Sequence, residues 1–163
     1  MWTTLSQSLK GTISLSNKIE LSELWPVIEE VILSGGEFHF TPYGTSMLPL
    51  IRPGQDSVVF VLPDELKKTD IVLYKRRDGS FILHRIMLIQ KDNYIMCGDN
   101  QNYLERDIKR EQILALVKDI YRDGKKVNTE TDEYRKYIKS LYKKVRKSRF
   151  RLFLSRIKHK IFK

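Results

Sequence analysis

The sequence predicts a mainly β protein with one N-terminal helix and a basic C-terminal helical tail, and three observations support this. Short β-rich runs recur through the middle of the chain, separated by clusters of Pro, Gly, Asp and Lys. Helical periodicity appears only on either side of them. The 163 residues, 41% hydrophobic and 31% charged, suit one folded domain plus an appendage. We expect a flexible N-terminus over 1–20, a folded domain over 21–128 and a helical tail over 129–163.

The first element is a helix that follows a polar start rich in Ser and Thr. Ser22 is a candidate N-cap, and Gly35 and Gly36 end the pattern. Pro26 falls near the first turn, where proline is tolerated in a helix. The predicted apolar face consists of Leu24, Val27, Ile28, Val31 and Ile32.

The mostly β region runs from about residue 36 to residue 128. Phe38 and Phe40 alternate with a histidine, as in a strand with one buried face. The sequence from Arg77 to Ser80, Arg-Asp-Gly-Ser, is typical of a hairpin turn. The other predicted strands are 57–62, 70–74, 81–89, 93–97 and 113–121.

The tail carries the positive charge of the molecule. From Tyr134 to Lys163 there are 13 Lys and Arg and no Asp or Glu, whereas the other 133 residues have 17 basic against 20 acidic residues, a charge of −3. Two apolar series out of phase predict two helices or one kinked helix. The tail is interpreted either as a solvated helix packed on the body or as an interfacial helix on anionic lipid. Nucleic acid or an acidic protein is a less favoured partner.

The sequence also bears on the compartment. No run reaches the roughly 18 apolar residues that cross a bilayer, and the N-terminus has no apolar block. A lone cysteine, Cys97, cannot form an internal disulfide, which favours a reducing compartment. We expect a cytoplasmic protein, with peripheral association at the inner face of the membrane left open for the tail.

Three segments contain residues able to carry chemistry. Ser46 stands between small residues and a Met-x-Pro, where a hydroxyl can be exposed beside free backbone N–H groups. His84 interrupts an apolar strand and is a candidate general base. Asp99 follows another strand in Gly-Asp-Asn. Taken singly, each has a simpler interpretation: a turn serine, a hydrogen-bonded core histidine and a turn aspartate.

Together and in this order, the segments resemble the signal peptidase I and LexA-type serine peptidases over about residues 40–120. In that family a Ser in Ser-Met attacks the peptide carbonyl. Its base is Lys in the bacterial signal peptidases and LexA-like repressors, and His in the archaeal and endoplasmic-reticulum signal peptidases. The matching segments are Gly44-x-Ser46-Met47-x-Pro49, Asp70-Ile71-Val72, His84-Arg85-Ile86 and Gly98-Asp99-Asn100.

The resemblance implies a LexA/signal-peptidase-like β-fold and a Ser-His dyad of Ser46 and His84. It implies Asp99 as a supporting acid, with Glu105 or Asp107 as a further acid. Around the nucleophile it implies oxyanion and substrate-binding positions at Gly44, Thr45 and Met47. Three histidines and one cysteine show no metal-ligand spacing, and no cofactor is expected.

The implied function is a serine endopeptidase that cleaves a peptide or a leader- or signal-like sequence through an acyl-enzyme. The chain departs from the family in lacking a transmembrane anchor and in having Gly44 where many bacterial members have a hydroxyl residue. A small anchorless bacterial member of the family fits best. The alternatives are a catalytically silent binding module of the same fold and a LexA-like self-cleaving regulator. The second needs a cleavable segment in cis, and residues 1–36 contain no Ala-Gly or Cys-Gly bond.

Overall fold

The protein is described by a computed structural model over residues 21–161, with side chains through residue 147. Within these residues the chain is mainly β, as predicted, and it has eight strands in one antiparallel sheet and two α-helices. The helices are α1 (Leu21–Leu33) and α2 (Asp132–Ile161). The strands are β1 (Phe38–Phe40), β2 (Ser57–Val61), β3 (Ile71–Lys75), β4 (Phe81–Gln90), β5 (Asn93–Cys97), β6 (Glu105–Lys109), β7 (Ile113–Arg122) and β8 (Lys125–Lys126).

The strands form one sheet in the order β1-β2-β7-β3-β4-β5-β6, with β8 paired to β7. β4 lies between β3 and β5, where Val72 faces His84 and Ile71 faces Arg85 across the β3–β4 pair. Strands β6 and β8 were not predicted. β6 has the polar sequence Glu-Arg-Asp-Ile-Lys with only Ile108 buried, so it carries no hydrophobic alternation.

Helix α1 packs on the sheet through Ile28 and Ile32, which lie in the core as the apolar spacing predicts. The helix begins at Leu21, so Ser22 lies inside the first turn and its prediction as N-cap is wrong. The predicted flexible segment 1–20 lies outside the described residues.

The hairpin turn between β3 and β4 is confirmed. Arg76 donates its backbone N–H to the carbonyl of Ser80 at 2.9 Å, and Asp78 Oδ1 accepts the N–H of Ser80 at the same distance. Gly79 adopts a φ of 88°, a conformation that glycine takes without steric cost. This turn presents the end of β3 and the start of β4 at one edge of a cavity.

Helix α2 is a single helix, so of the two predicted arrangements the two separate helices are wrong. Its first half packs on the body: Leu141 and Val145 are buried, and Tyr134 and Tyr137 contact the main core. The second apolar series of the tail lies beyond residue 147, where side chains are not described. Among residues 21–161, neither helix combines the length and the apolar character that crossing a bilayer requires.

Candidate active site

A cavity of about 460 Å³ opens beside α1, the segment after β1 and the β3–β4 hairpin. The predicted nucleophile Ser46 and the predicted base His84 both line it. Two groups that are 38 positions apart in the sequence therefore share one concave surface of suitable size for a peptide side chain. Other lining residues are Gly44, Met47, Arg76, Gln101 and Tyr103.

Ser46 lies in a chain of tight turns. The N–H of Leu48 bonds the carbonyl of Thr45 at 3.2 Å, and the N–H of Ile51 bonds that of Met47 at 3.0 Å. Within residues 21–161, no hydrogen bond takes up the backbone N–H or the hydroxyl of Ser46. A serine with a half-exposed side chain and an unused N–H beside a cavity is suited to attack a carbonyl and to bind the resulting oxyanion.

The three predicted oxyanion and substrate positions differ in their surroundings. Gly44 is exposed, and a Cβ at this position would meet nothing within 4 Å, so a ligand could approach the backbone. Thr45 is also exposed, and its carbonyl accepts the side-chain amide of Asn100 at 3.3 Å. Met47 is 1% exposed and belongs to the main core. Its side chain therefore anchors the turn and forms one wall of the cavity.

His84 is 2% exposed, and its imidazole is held on one side only. Nδ1 lies 3.1 Å from Tyr74 Oη and 3.3 Å from Glu105 Oε1. Nε2 makes no hydrogen bond among the described residues. It is not fully enclosed either, because none of their buried side-chain nitrogens or oxygens lacks a partner. An ionised carboxylate can only accept, so Glu105 Oε1 at 3.3 Å favours a proton on Nδ1, and in that tautomer Nε2 is an acceptor.

Glu105, one of the two further acids considered, is the carboxylate beside His84. Arg76 clamps it with a double hydrogen bond, Nε to Oε2 at 2.7 Å and Nη2 to Oε1. Burial raises the pKa of Glu105, but the hydrogen bonds from Arg76, the nearby Tyr74 hydroxyl and the neighbouring basic groups together lower it, and the net direction is down. The carboxylate therefore stays ionised near the imidazole and can orient it.

Burial dominates the electrostatics of His84. Desolvation lowers its pKa most, Arg76 also lowers it, and Glu105 and Asp99 raise it. The net result is a pKa of about 4. The imidazole is consequently neutral at neutral pH, which is the form that accepts a proton.

The other two predicted acids lie elsewhere. Asp99 accepts Arg85 at both carboxylate oxygens, at 2.8 and 2.6 Å, rather than contacting His84. Its side chain is 1% exposed, and it neutralises the fully buried guanidinium. Asp107 is exposed on β6 with a φ of 61°, and its carboxylate makes no hydrogen bond or ion pair among the described residues.

Gly98 lies where the turn that carries Ser46 meets the imidazole of His84. A Cβ built on it would lie 2.7 Å from the carbonyl oxygen of Ser46 and 3.0 Å from His84 Nε2. The serine turn and the free edge of the imidazole thus meet over a glycine backbone that leaves no space for a side chain. The structure has no hydrogen bond between Ser46 and His84 themselves within its described range.

Sequence reasoning missed Tyr74 and Arg76. Tyr74 lies near the end of β3 and Arg76 directly follows it, and only the β3–β4 register brings Tyr74 to the face of the sheet that carries His84. Polar residues at the end of an apolar strand are the one sequence signal that could have found them. Among the side chains that the structure describes, those of residues 21–147, no cluster of His, Cys, Asp and Glu has the arrangement of a metal site. The chain matches no protein-family model, and no curated protein is significantly similar to it.

Proposed function

We propose that the chain is a serine endopeptidase of the signal-peptidase/LexA type, in which Ser46 is the nucleophile and His84 the general base. One observation carries the proposal: the unbonded Nε2 edge of His84 and the unbonded hydroxyl of Ser46 line the same cavity. The mainly β fold agrees with a LexA/signal-peptidase-like arrangement. Tight packing at Gly98 keeps both groups beside the same backbone.

In the proposed reaction, His84 Nε2 takes the proton from Ser46 Oγ as the oxygen attacks a peptide carbonyl. The electron pair of the carbonyl moves to oxygen, and the N–H of Ser46 and its neighbours stabilise that charge. The imidazolium then protonates the leaving amine, and an acyl-enzyme forms. Water, deprotonated by the same histidine, attacks the ester and releases the acid.

Glu105 supports this cycle from the far side of the ring. Its ionised carboxylate favours Nδ1–H and becomes more favourable to the imidazolium as positive charge develops. Arg76 keeps that carboxylate in place with two hydrogen bonds. Glu105, rather than Asp99, is thus proposed as the third member of the site.

The two alternatives differ in what they require. A silent binding module has no need for a neutral, half-free imidazole beside an unpaired serine hydroxyl, so these features favour an enzyme. A LexA-like self-cleaving regulator would need a scissile bond within its own chain, and the purified protein would then shorten with time.

The proposal is tested by incubating the protein with a peptide library and identifying new termini by mass spectrometry. Cleavage by the wild type and its absence in Ser46→Ala is the expected result. Equal cleavage by both would place the chemistry elsewhere or in a contaminant. Intact mass of the enzyme over the same period separates cleavage in trans from self-cleavage.

We also propose that the exposed face of α2 binds an anionic membrane surface. The apolar stripe of α2 faces the body, so the cations on its other side are exposed to a partner, although Arg135 also pairs with Asp132 at 2.8 Å. Their spacing of three to four residues aligns them along one side of the helix. Such a face would hold the protein at the inner, anionic side of a membrane by charge alone. The exposed cations are Arg135, Lys136, Lys139, Lys143, Arg146 and Lys147.

Truncation is a poor test of this proposal because α2 is part of the packed body. The better variant is Lys136→Gln/Lys139→Gln/Lys143→Gln, which keeps the helix and removes three exposed charges. Its matched control, Lys67→Gln/Lys91→Gln/Lys125→Gln, removes three exposed charges away from α2. At about 1 kcal/mol per cation, co-sedimentation with vesicles of anionic lipid at low salt should weaken roughly 100-fold in the first variant only. Equal behaviour of the two variants, or no binding by the wild type, contradicts the proposal.

A further inference from the structure

Asp99 links helix α2 to the turn that carries Ser46. Its Oδ2 accepts the hydroxyl of Tyr137 at 2.8 Å, and its carbonyl accepts Lys144 Nζ at 3.2 Å. Both donors come from α2, about two turns apart on the side that packs against the body. Helix α2 therefore holds Asp99 through hydrogen bonds to its side chain and to its backbone carbonyl.

Asn100, the residue after Asp99, connects this segment to the candidate nucleophile by hydrogen bonds. Asn100 donates its backbone N–H to the carbonyl of Ser46 at 2.7 Å. Its side-chain amide donates to the carbonyl of Thr45 at 3.3 Å. Two hydrogen bonds thus fix the backbone of the serine turn to the segment that α2 holds.

The base is fixed through the same junction. Arg85 follows His84 on β4 and donates to both oxygens of Asp99, to the carbonyl of Thr69 and to Tyr134 Oη at 3.1 Å. Its guanidinium is fully buried, so every one of these partners is needed to satisfy it. Helix α2 thus contacts the network behind His84 as well as the network behind Ser46.

We infer that Tyr137 and Lys144 are positioning residues, through which α2 sets the Ser46 turn against His84. The consequence for catalysis rests on the proposed peptidase function, whereas the consequence for the geometry of the turn does not. Helix α2 then has a second role besides carrying charge: its inward face completes the site. Neither residue touches the cavity, and both act through Asp99 and Asn100.

The chain offers matched controls on the same helix. Tyr142 donates its hydroxyl to the carbonyl of Met87 at 3.1 Å, on the same packed side but away from Asp99. Tyr137→Phe and Tyr142→Phe each remove one hydroxyl and keep the ring. Lys144→Met and Lys143→Met each remove one ammonium from an exposed residue, and of these two lysines only Lys144 bonds the backbone of Asp99.

The decisive measurement is the exchange rate of the Asn100 amide in the full-length protein, followed by NMR. Tyr137→Phe should accelerate this exchange on the order of tenfold, because a charge-assisted hydrogen bond that fixes Asp99 is lost. Lys144→Met should give a smaller change in the same direction. Tyr142→Phe and Lys143→Met should leave the rate within about twofold of the wild type.

A second readout, the rate at which a fluorophosphonate acylates Ser46, connects the geometry to the chemistry. It should fall roughly three- to tenfold in Tyr137→Phe and stay unchanged in Tyr142→Phe. If the wild type is not acylated at all, the proposed function fails, while the Asn100 exchange rates still decide the positioning role. Equal exchange in Tyr137→Phe and Tyr142→Phe, with Asn100 unaffected by both, overturns the inference.

Discussion

His84 and Arg85 are neighbours on β4, yet they occupy opposite faces of the sheet and opposite chemical environments. Arg85 is fully buried and saturated with hydrogen bonds, and its charge is neutralised by Asp99. His84 is nearly as buried but is bonded at one ring nitrogen only, and its other edge opens to a cavity. A sealed charge supports the fold, whereas a half-free neutral base is available for chemistry.

Substitutions at the open site should have the largest effect, and the effect should fall on activity. Ser46→Ala and His84→Gln should each lower peptidase activity by a factor of about 10³ or more, because the two groups act as a unit. Ser46→Ala should leave the free energy of unfolding within about 0.5 kcal/mol of the wild type, since the hydroxyl makes no hydrogen bond in the described residues. Peptide-cleavage kinetics and urea unfolding measure the two quantities.

His39→Gln is the matched control, because this histidine is exposed on β1 and away from the cavity. Activity that survives in His84→Gln but is lost in His39→Gln would mean that the base lies on β1 and not on β4.

Substitutions at the sealed site, Arg85 with Asp99, should act mainly on the free energy of unfolding. Asp99→Asn leaves the buried Arg85 guanidinium without a counter-charge, which should lower the free energy of unfolding by about 3–5 kcal/mol. Asp107→Asn alters an exposed carboxylate on β6 and should change it by less than about 0.5 kcal/mol. Denaturant unfolding of both variants gives the comparison. A loss of activity of about 10³-fold in Asp99→Asn with unchanged stability, well beyond the three- to tenfold effect expected from positioning, would instead make Asp99 a direct partner of the base.

These two environments show how far the sequence alone reaches. The resemblance carried by the segments around Ser46, His84 and Asp99 selected two residues that line the cavity, Ser46 and His84. Continuous β-rich runs predicted most strands, because strands such as β2 and β3 bury consecutive residues and therefore both faces. The acid beside His84 was not decided, because Glu105 lies on β6, a polar edge strand without periodicity, and its distance to the histidine depends on strand register.

Asp99 was predicted as the supporting acid because it lies in the Gly-Asp-Asn segment. In the structure its carboxylate instead accepts hydrogen bonds from the buried Arg85, the residue after His84. A pattern of residue types cannot distinguish which of two adjacent basic groups an acid serves. The docking of α2 was equally undecided, since its Tyr and Leu stripe suits a protein surface and a lipid surface alike.

Removal of the supporting acid should have an intermediate effect. Glu105→Gln keeps the shape of the side chain but loses the charge that favours Nδ1–H, so kcat/KM should fall about 10- to 100-fold. Tyr74 still bonds the ring, which keeps the loss below that of His84→Gln. Glu111→Gln, at an exposed position near the start of β7, serves as the control in the same steady-state assay. An unchanged kcat/KM in Glu105→Gln would show that this carboxylate does not orient the imidazole.

The pH profile should show the smallest but most characteristic effect. His84 must be neutral to act as a base, so activity should rise with pH through a folded-state pKa of about 4 and stay level above it. An unperturbed histidine, with a pKa near 6.5, would leave about a tenth of the activity at pH 5.5. We therefore expect nearly full kcat/KM at pH 5.5. A midpoint near 6.5 would show that the imidazole is solvated rather than desolvated in the working enzyme.

The most direct test is covalent labelling of the full-length protein by a fluorophosphonate, with the adduct located by peptide mass spectrometry. If Ser46 is a nucleophile activated by His84, a single adduct forms on Ser46, is absent in Ser46→Ala and forms about 10³-fold more slowly in His84→Gln. An adduct on another residue, no adduct in the wild type, or equal rates in the wild type and His84→Gln would contradict the assignment of this dyad.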